Sequence, residues 1–242
     1  MMMNNEHWRQ AIIICWMIIF GSMGFASSQE QQDPFKMNGG SVLAMAGDQC
    51  VALAVDKRFG SGPQMVNIAT RKVLMPHPKL IVAFTGLESH AQSLMQELKV
   101  QSRKRQSLLL SQLPDHAISP KAMSTLMSHI LWERKYYVEP VVVGLTPAHA
   151  DGGSKPFLCA QDMIGAQSKS DAFVCAGVAT SSMFGIAEAL WRPNLSKEEL
   201  IQVCGKAFLS ALERDCLSGY GAVLYLISKD GIEQIDLVTG ND

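Results

Sequence analysis

Charge of either sign is scarce in this sequence, and so are the residue arrangements that hold cofactors. Of 242 residues only 18% are Asp, Glu, Lys or Arg, and the formal net charge is -1. That balance offers no electrostatic footprint for nucleic acid or an anionic membrane surface, so neither is expected as a partner. The six cysteines (Cys15, Cys50, Cys159, Cys175, Cys204 and Cys216) form no CxxC pair and have no histidine at metal-ligand spacing. Several fall inside apolar segments, where a reduced thiol packs as a small hydrophobe, and a reducing compartment is expected. The six histidines form no HxxxH or HxH array. Gly60-Ser61-Gly62-Pro63 lacks the Lys-Ser/Thr of a phosphate-binding loop and leads into no helix. No metal and no cofactor is expected.

What the chain does have is apolar residue, at 48%, and a length that suits one large domain. Its N-terminus does not match the rest. Ala11 to Phe25 is an apolar run of 15 residues, followed by Ala26-Ser27-Ser28 and the polar stretch Gln29 to Asp33. A membrane span needs about 20 such residues. A signal-peptide core needs fewer, but Glu6 beside Arg9 makes a poor positive flank. Three accounts stay open: a propeptide or upstream sequence before a true start at Met37, a signal peptide, or a membrane anchor. Residues 1–36 are therefore set apart as an N-terminal extension, and 37–242 are read as the domain.

From Gly39 onward the order of elements is legible. Two apolar runs, Ser41 to Ala46 and Cys50 to Val55, flank Gly47-Asp48 and predict a β-hairpin. Strands follow near 65–68, 72–75 and 80–85. Helical spacing of Ala91, Leu94, Met95, Leu98 and Val100 predicts a helix over 89–107. The basic run Arg103-Lys104-Arg105 ends it, where cations meet the negative end of the dipole. Ser119-Pro120 opens a second helix to about Tyr137. Strands return at 141–146, 157–162 and 172–176, then helices at 180–191 and 197–213, the latter behind the capping box Ser196-Lys197-Glu198-Glu199. Strands at 222–228 and 232–238 close the chain around Lys229-Asp230-Gly231. Blocks of strands and blocks of helices, rather than strict alternation, predict an α+β domain of two packed antiparallel sheets with helix pairs outside. The 14 methionines fall mostly at apolar positions and read as core or interface filler.

Several segments, in order and at matching spacing, resemble proteasome β-type subunits of the N-terminal-nucleophile hydrolase superfamily. They are NGGSVLAM (38–45), VALAVDKRFG (51–60), QMV (64–66), LIVAFTGL (80–87), EPVVVGL (139–145), CAQDMIG (159–165), ALWxPNL (189–195) and ERDxxSGxG (213–221). Among subunit types the likeness is nearest to type 3. It covers nearly all of 37–242 and implies a four-layer αββα sandwich.

In active members of that family the first strand begins with a threonine whose hydroxyl attacks the peptide and whose α-amine is the base. Counting back from Asp56 places that position on Gly40, which has no hydroxyl. The family's supporting positions fall on Asp56, Lys72, and Asp215 to Ser218 with Gly219. The lysine would favour a neutral α-amine by its nearby charge, and the aspartate would orient it. The resemblance thus implies a non-catalytic subunit whose vestigial positions Gly40, Asp56, Lys72, Asp215 and Ser218 cannot form an acyl-enzyme. Structural reasons alone suffice to keep them: a buried Lys-Asp pair is costly to break, and Asp-x-x-Ser-Gly makes a tight turn.

The implied setting is the 20S core of ATP- and ubiquitin-dependent protein degradation, in cytoplasm and nucleus. The implied partners are other β subunits of a heptameric ring, an α ring and the opposite β ring. Two alternatives remain. Cleavage before Ser41 would expose a serine nucleophile, although alternation along the strand points Ser41 away from the side that residue 40 faces. A secreted binding protein on the same fold would use residues 11–26 as a signal.

Overall fold

The computed structural model describes residues 33–110, 118–147 and 153–239. The apolar run 11–25 and Cys15 lie outside the described residues. A helical turn, α1 (Pro34–Met37), comes first, with Asp33 Oδ1 accepting from the Phe35 amide at 3.0 Å. Then follow strands β1 (Ser41–Ala46), β2 (Val51–Asp56), β3 (Phe59–Ser61), β4 (Gln64–Asn67), β5 (Val73–His77) and β6 (Leu80–Gly86). Helices α2 (Glu88–Leu110) and α3 (Pro120–Arg134) precede β7 (Val138–Pro147), β8 (Ser154–Gln161), β9 (Gln167–Ser170) and β10 (Phe173–Gly177). Helices α4 (Thr180–Leu190) and α5 (Lys197–Leu212) lead to the closing pair β11 (Ala222–Ser228) and β12 (Gly231–Leu237).

The strands assemble into two five-stranded antiparallel sheets, β10-β1-β2-β11-β12 and β5-β6-β7-β8-β9, plus the small β3-β4 hairpin. Side chains alternate along a strand, so β1 and β2 each send one set inward and one outward. Val42, Ala44, Leu53 and Val55 meet Ile81, Ala83, Val141 and Val143 between the sheets. Leu43, Met45, Ala52 and Ala54 meet Met183, Ala187, Leu200, Cys204 and Phe208 of α4 and α5. On the far side Val82, Phe84 and Val142 are covered by Leu94, Leu98, Met123 and Met127 of α2 and α3. The layers therefore run αββα, the predicted sandwich.

A sheet covered on both faces has no polar side, which explains the near-continuous apolar strands. It also pins the register. Leu43, Met45 and Leu53 are wholly buried, each worth about 1.5–3 kcal/mol relative to exposure. A slip by one residue would swap both faces of β1 at once.

The helix-opening signals held, but the run Arg103-Lys104-Arg105 does not end its helix: α2 continues to Leu110 and its last turn carries no basic residue. Ser119 Oγ accepts from the Ala122 amide and Pro120 takes the first helical position. Ser196 and Glu199 form the reciprocal capping box. The second helix ends at Arg134, earlier than Tyr137, because Lys135 turns left-handed at φ 51° and its amide bonds back to the Leu131 carbonyl. Two strands carried no readable pattern. β9, QSKS, is a polar edge strand, and β3 is three residues long with a glycine at its centre.

Candidate functional site

The end of the first sheet brings together four chain segments. Gly39 and Gly40 turn the chain into β1 with φ of +72° and +102°, a region that side-chain-bearing residues rarely adopt. Asp56 is the last residue of β2, facing Ala222 of β11 across the ladder. Lys72 comes immediately before β5. The turn 215–219 joins α5 to β11, and Asp215 Oδ1 shapes it by accepting from the Leu217 amide at 3.0 Å.

Asp56 is the hub. Its Oδ1 accepts from Lys72 Nζ at 2.7 Å and from the Ser41 amide at 3.0 Å, and its Oδ2 accepts from the Gly219 amide at 3.3 Å. The two side chains of the ion pair are 4% and 0% exposed. Such a pair is held where desolvation makes geometry decisive, and here three donors satisfy the carboxylate.

Gly40 faces this pair. A Cβ built on it would fall against Lys72 Nζ and 3.2 Å from Asp56 Oδ1. A side chain at position 40 would therefore be aimed at the ammonium, and glycine supplies none. The Gly40 nitrogen is a peptide amide, donating to the Leu217 carbonyl at 3.0 Å. Its lone pair is delocalised, so it has no basicity to lend. The nucleophile's half of a nucleophile–base unit does not exist at this residue.

Ser41 points elsewhere, as strand alternation requires. Its hydroxyl lies 2.7 Å from Ser218 Oγ and accepts from the Ala179 amide at 3.0 Å. It is fully buried on the side of the first sheet that carries α4 and α5. Thus Gly40, Asp56, Lys72 and Gly219 converge, and Ser218 joins them through Ser41. Asp215 stands one step back: it builds the turn that delivers Ser218 and Gly219, and its Oδ2 has no hydrogen-bond partner in the described structure.

The sequence reading missed Arg58. It is 0% exposed, and its guanidinium donates to the carbonyls of Asn38 at 3.3 Å, Leu217 at 3.2 Å, Gly62 at 2.7 Å and Gln64 at 3.4 Å. A charged residue just after an apolar strand reads as solvent-facing. Only the folding back of residues 38, 62 and 217 encloses it.

Two antiparallel sheets between helix pairs, with the start of β1 set against a buried Lys-Asp pair, define the class as the N-terminal-nucleophile hydrolase fold. The "Proteasome subunit" family model matches residues 36–227. Proteasome subunit beta type-3 of Drosophila melanogaster is 35% identical over 208 residues, covering 85% of this chain and 97% of that protein. The protein of the same name from Caenorhabditis elegans is 37% identical over 199 residues, covering 80% and 92%. That from Picea mariana is 32% identical over 201 residues, covering 82% and 94%. The chain belongs to the proteasome subunit family.

Proposed function

We propose that this chain is a non-catalytic, type-3-like β subunit that builds the inner β ring of the 20S proteasome core. In this reading residues 37–242 are the subunit domain and residues 1–36 an N-terminal extension. Its partners are neighbouring β subunits in a heptameric ring, an α ring and the opposite β ring. Its setting is the cytoplasm and nucleus, and its contribution to protein degradation is positional.

One observation carries the reading. The residue that faces the Lys72–Asp56 pair is Gly40, with no side-chain oxygen. The N-terminal-nucleophile mechanism needs a side-chain hydroxyl or thiol with a base within hydrogen-bond reach. The alternative nucleophile, Ser41, is sealed beneath α4 and committed to Ser218 and the Ala179 amide. The type-3 relatives, aligned over most of their length, support the choice of subunit type.

The test is intact-mass analysis of the chain purified from its native assembly after treatment with an epoxyketone. The expected result is co-purification with a large particle, a start upstream of Gly40 and no covalent adduct. A chain beginning at Ser41 and carrying the probe would overturn the reading.

A further inference from the structure

The second sheet ends at β5, whose pairing with β6 loses register between Leu74 and His77. Pro76 stands inside that irregularity; a proline cannot donate to a ladder, so it is confined to such an edge. A bulge bends its strand, and a cavity of about 350 Å³ lies here between β5 and α2. Its inner wall is apolar: Leu74 and Met95 are buried, and Met75 and Pro76 are half-buried. Gly40, Asp56 and Lys72 do not line it, so it is separate from the site described above.

The mouth of this cavity is cationic. Met95, Lys99, Ser102 and Arg103 recur at helical spacing and so share one face of α2. Arg71 reaches the same cavity from the strand side, just before Lys72, whose ammonium turns to Asp56 instead. All three cations are exposed, and none forms an ion pair among the described residues. The carboxylates of α2 are committed elsewhere, Glu97 to Arg134 Nε at 3.2 Å and Glu88 to Gln92 at 3.3 Å. Exposed cations on a helix are ordinarily no more than a solvated face. Ser102 sets this one apart. Its hydroxyl is shielded from solvent yet has no hydrogen-bond partner in the described structure. Ser93 of the same helix satisfies itself by donating to the Ser89 carbonyl at 2.9 Å, as a helical serine can. Ser102, between Lys99 and Arg103, keeps both a donor and an acceptor unused at the cavity wall.

We infer that this cavity is a binding pocket for a small phosphoryl-bearing solute, held by Arg71, Lys99 and Arg103 with the Ser102 hydroxyl donating to it. Three like charges around one recess repel one another. A multiply charged anion relieves that repulsion more fully than a single carboxylate does. Arginine also presents paired N–H donors in a fork that matches phosphate oxygens. The wall of Leu74, Met75 and Met95 takes the uncharged body of the solute, and the volume suits a small one. This inference goes beyond the proposed function and does not depend on whether the chain is catalytic.

Pyrophosphate is the probe, applied to the full chain in its native assembly at about 0.15 M ionic strength. An acetylating N-hydroxysuccinimide ester reports on Lys99, and phenylglyoxal on Arg71 and Arg103, each read by peptide mass mapping. Pyrophosphate should slow modification of all three about fivefold, half-maximally at about 1 mM or below. Lys121 and Arg192, exposed elsewhere on the chain, should not change. Succinate at matched ionic strength should need a concentration about tenfold higher. Ser102→Ala removes only a hydroxyl and should raise the pyrophosphate concentration required about threefold or more. Equal protection by succinate, equal protection at Lys121, or no effect of Ser102→Ala reduces the pocket to bare surface charge and overturns the inference. So does a failure of Lys99 and both arginines to react before pyrophosphate is added, since a neighbouring subunit then covers the mouth. An epoxyketone adduct on this chain would sink the non-catalytic reading and leave the pocket standing, so the two fail separately.

Discussion

Lys72 Nζ lies 2.7 Å from Asp56 Oδ1, with both side chains withdrawn from solvent and a glycine where a nucleophile would face them. With no hydroxyl to activate, the pair still holds the junction of β1, β2 and the 215–219 turn, because Asp56 also takes the amides of Ser41 and Gly219. Lys72→Met should cost about 3–5 kcal/mol, since it strands a buried carboxylate. Adding Asp56→Asn should recover part of that loss: it removes the stranded charge, but its one amide oxygen can accept from only one of the Ser41 and Gly219 amides, which bond to different oxygens of the carboxylate. Denaturant midpoints of the single and double variants check this. A loss below about 1 kcal/mol in the single variant would mean the pair is not structural.

Restoring a hydroxyl at position 40 should not restore chemistry. Gly40 sits at φ +102°, and a Cβ there meets the Lys72 ammonium. Gly40→Thr is therefore expected to cost about 1–3 kcal/mol in backbone strain alone. While the bond before residue 40 is intact, its nitrogen is a peptide amide bonded to the Leu217 carbonyl, so no base accompanies the new hydroxyl. Assembled particles carrying Gly40→Thr should show lowered thermal stability and no epoxyketone adduct on this chain. Mass spectrometry of the labelled subunit decides the point.

Much of this was readable in the sequence because the local signals agree with one another. Apolar runs flanking Gly47-Asp48 gave the β1–β2 hairpin, although the left-handed residue is Gln49, at φ 51°. The parity of β1 followed from alternation, and it correctly put Gly40 and Ser41 on opposite sides. The resemblance to the family grouped Gly40, Asp56 and Lys72, and the fold brings them together because each lies at or beside the end of a strand. Arg58 and Asn38 escaped notice for the opposite reason. Their roles depend on contacts with Gly60, Gly62, Glu88 and Leu217, and no periodicity encodes such a meeting. β9 was missed because an edge strand of Gln, Ser and Lys obeys the need for a polar border rather than for apolar alternation.

Glu88 gives the site a pH dependence of stability. Its carboxyl is pushed up from 4.5, chiefly by burial, against smaller opposing effects of the Gln92 hydrogen bond and the Lys72 charge. Because the folded value exceeds the unfolded one, the native state holds the proton longer. Stability is greatest below the unfolded value and declines as pH rises through the folded one. Glu88→Gln keeps an acceptor for Gln92 and removes the charge. It should match the parent at about pH 4 and exceed it at about pH 7. Unfolding midpoints at the two pH values test this, and an equal difference at both would refute it.

The cysteines offer the last test. Cys50, Cys175 and Cys204 lie in the core between the first sheet and its helices. Burial pushes the Cys50 thiol up to about 11 and that of Cys175 up to about 12, and it raises Cys204 further still. Alkylation proceeds through the thiolate, so all three are protected twice, by access and by protonation. At about pH 8 iodoacetamide should leave them unmodified in the native fold and modify each once denaturant is added. Cys216, exposed in the isolated chain, supplies the internal comparison. Peptide mass mapping reads all four together. Rapid native modification of Cys204 would show that α4 and α5 part from the sheet far more readily than their packing allows.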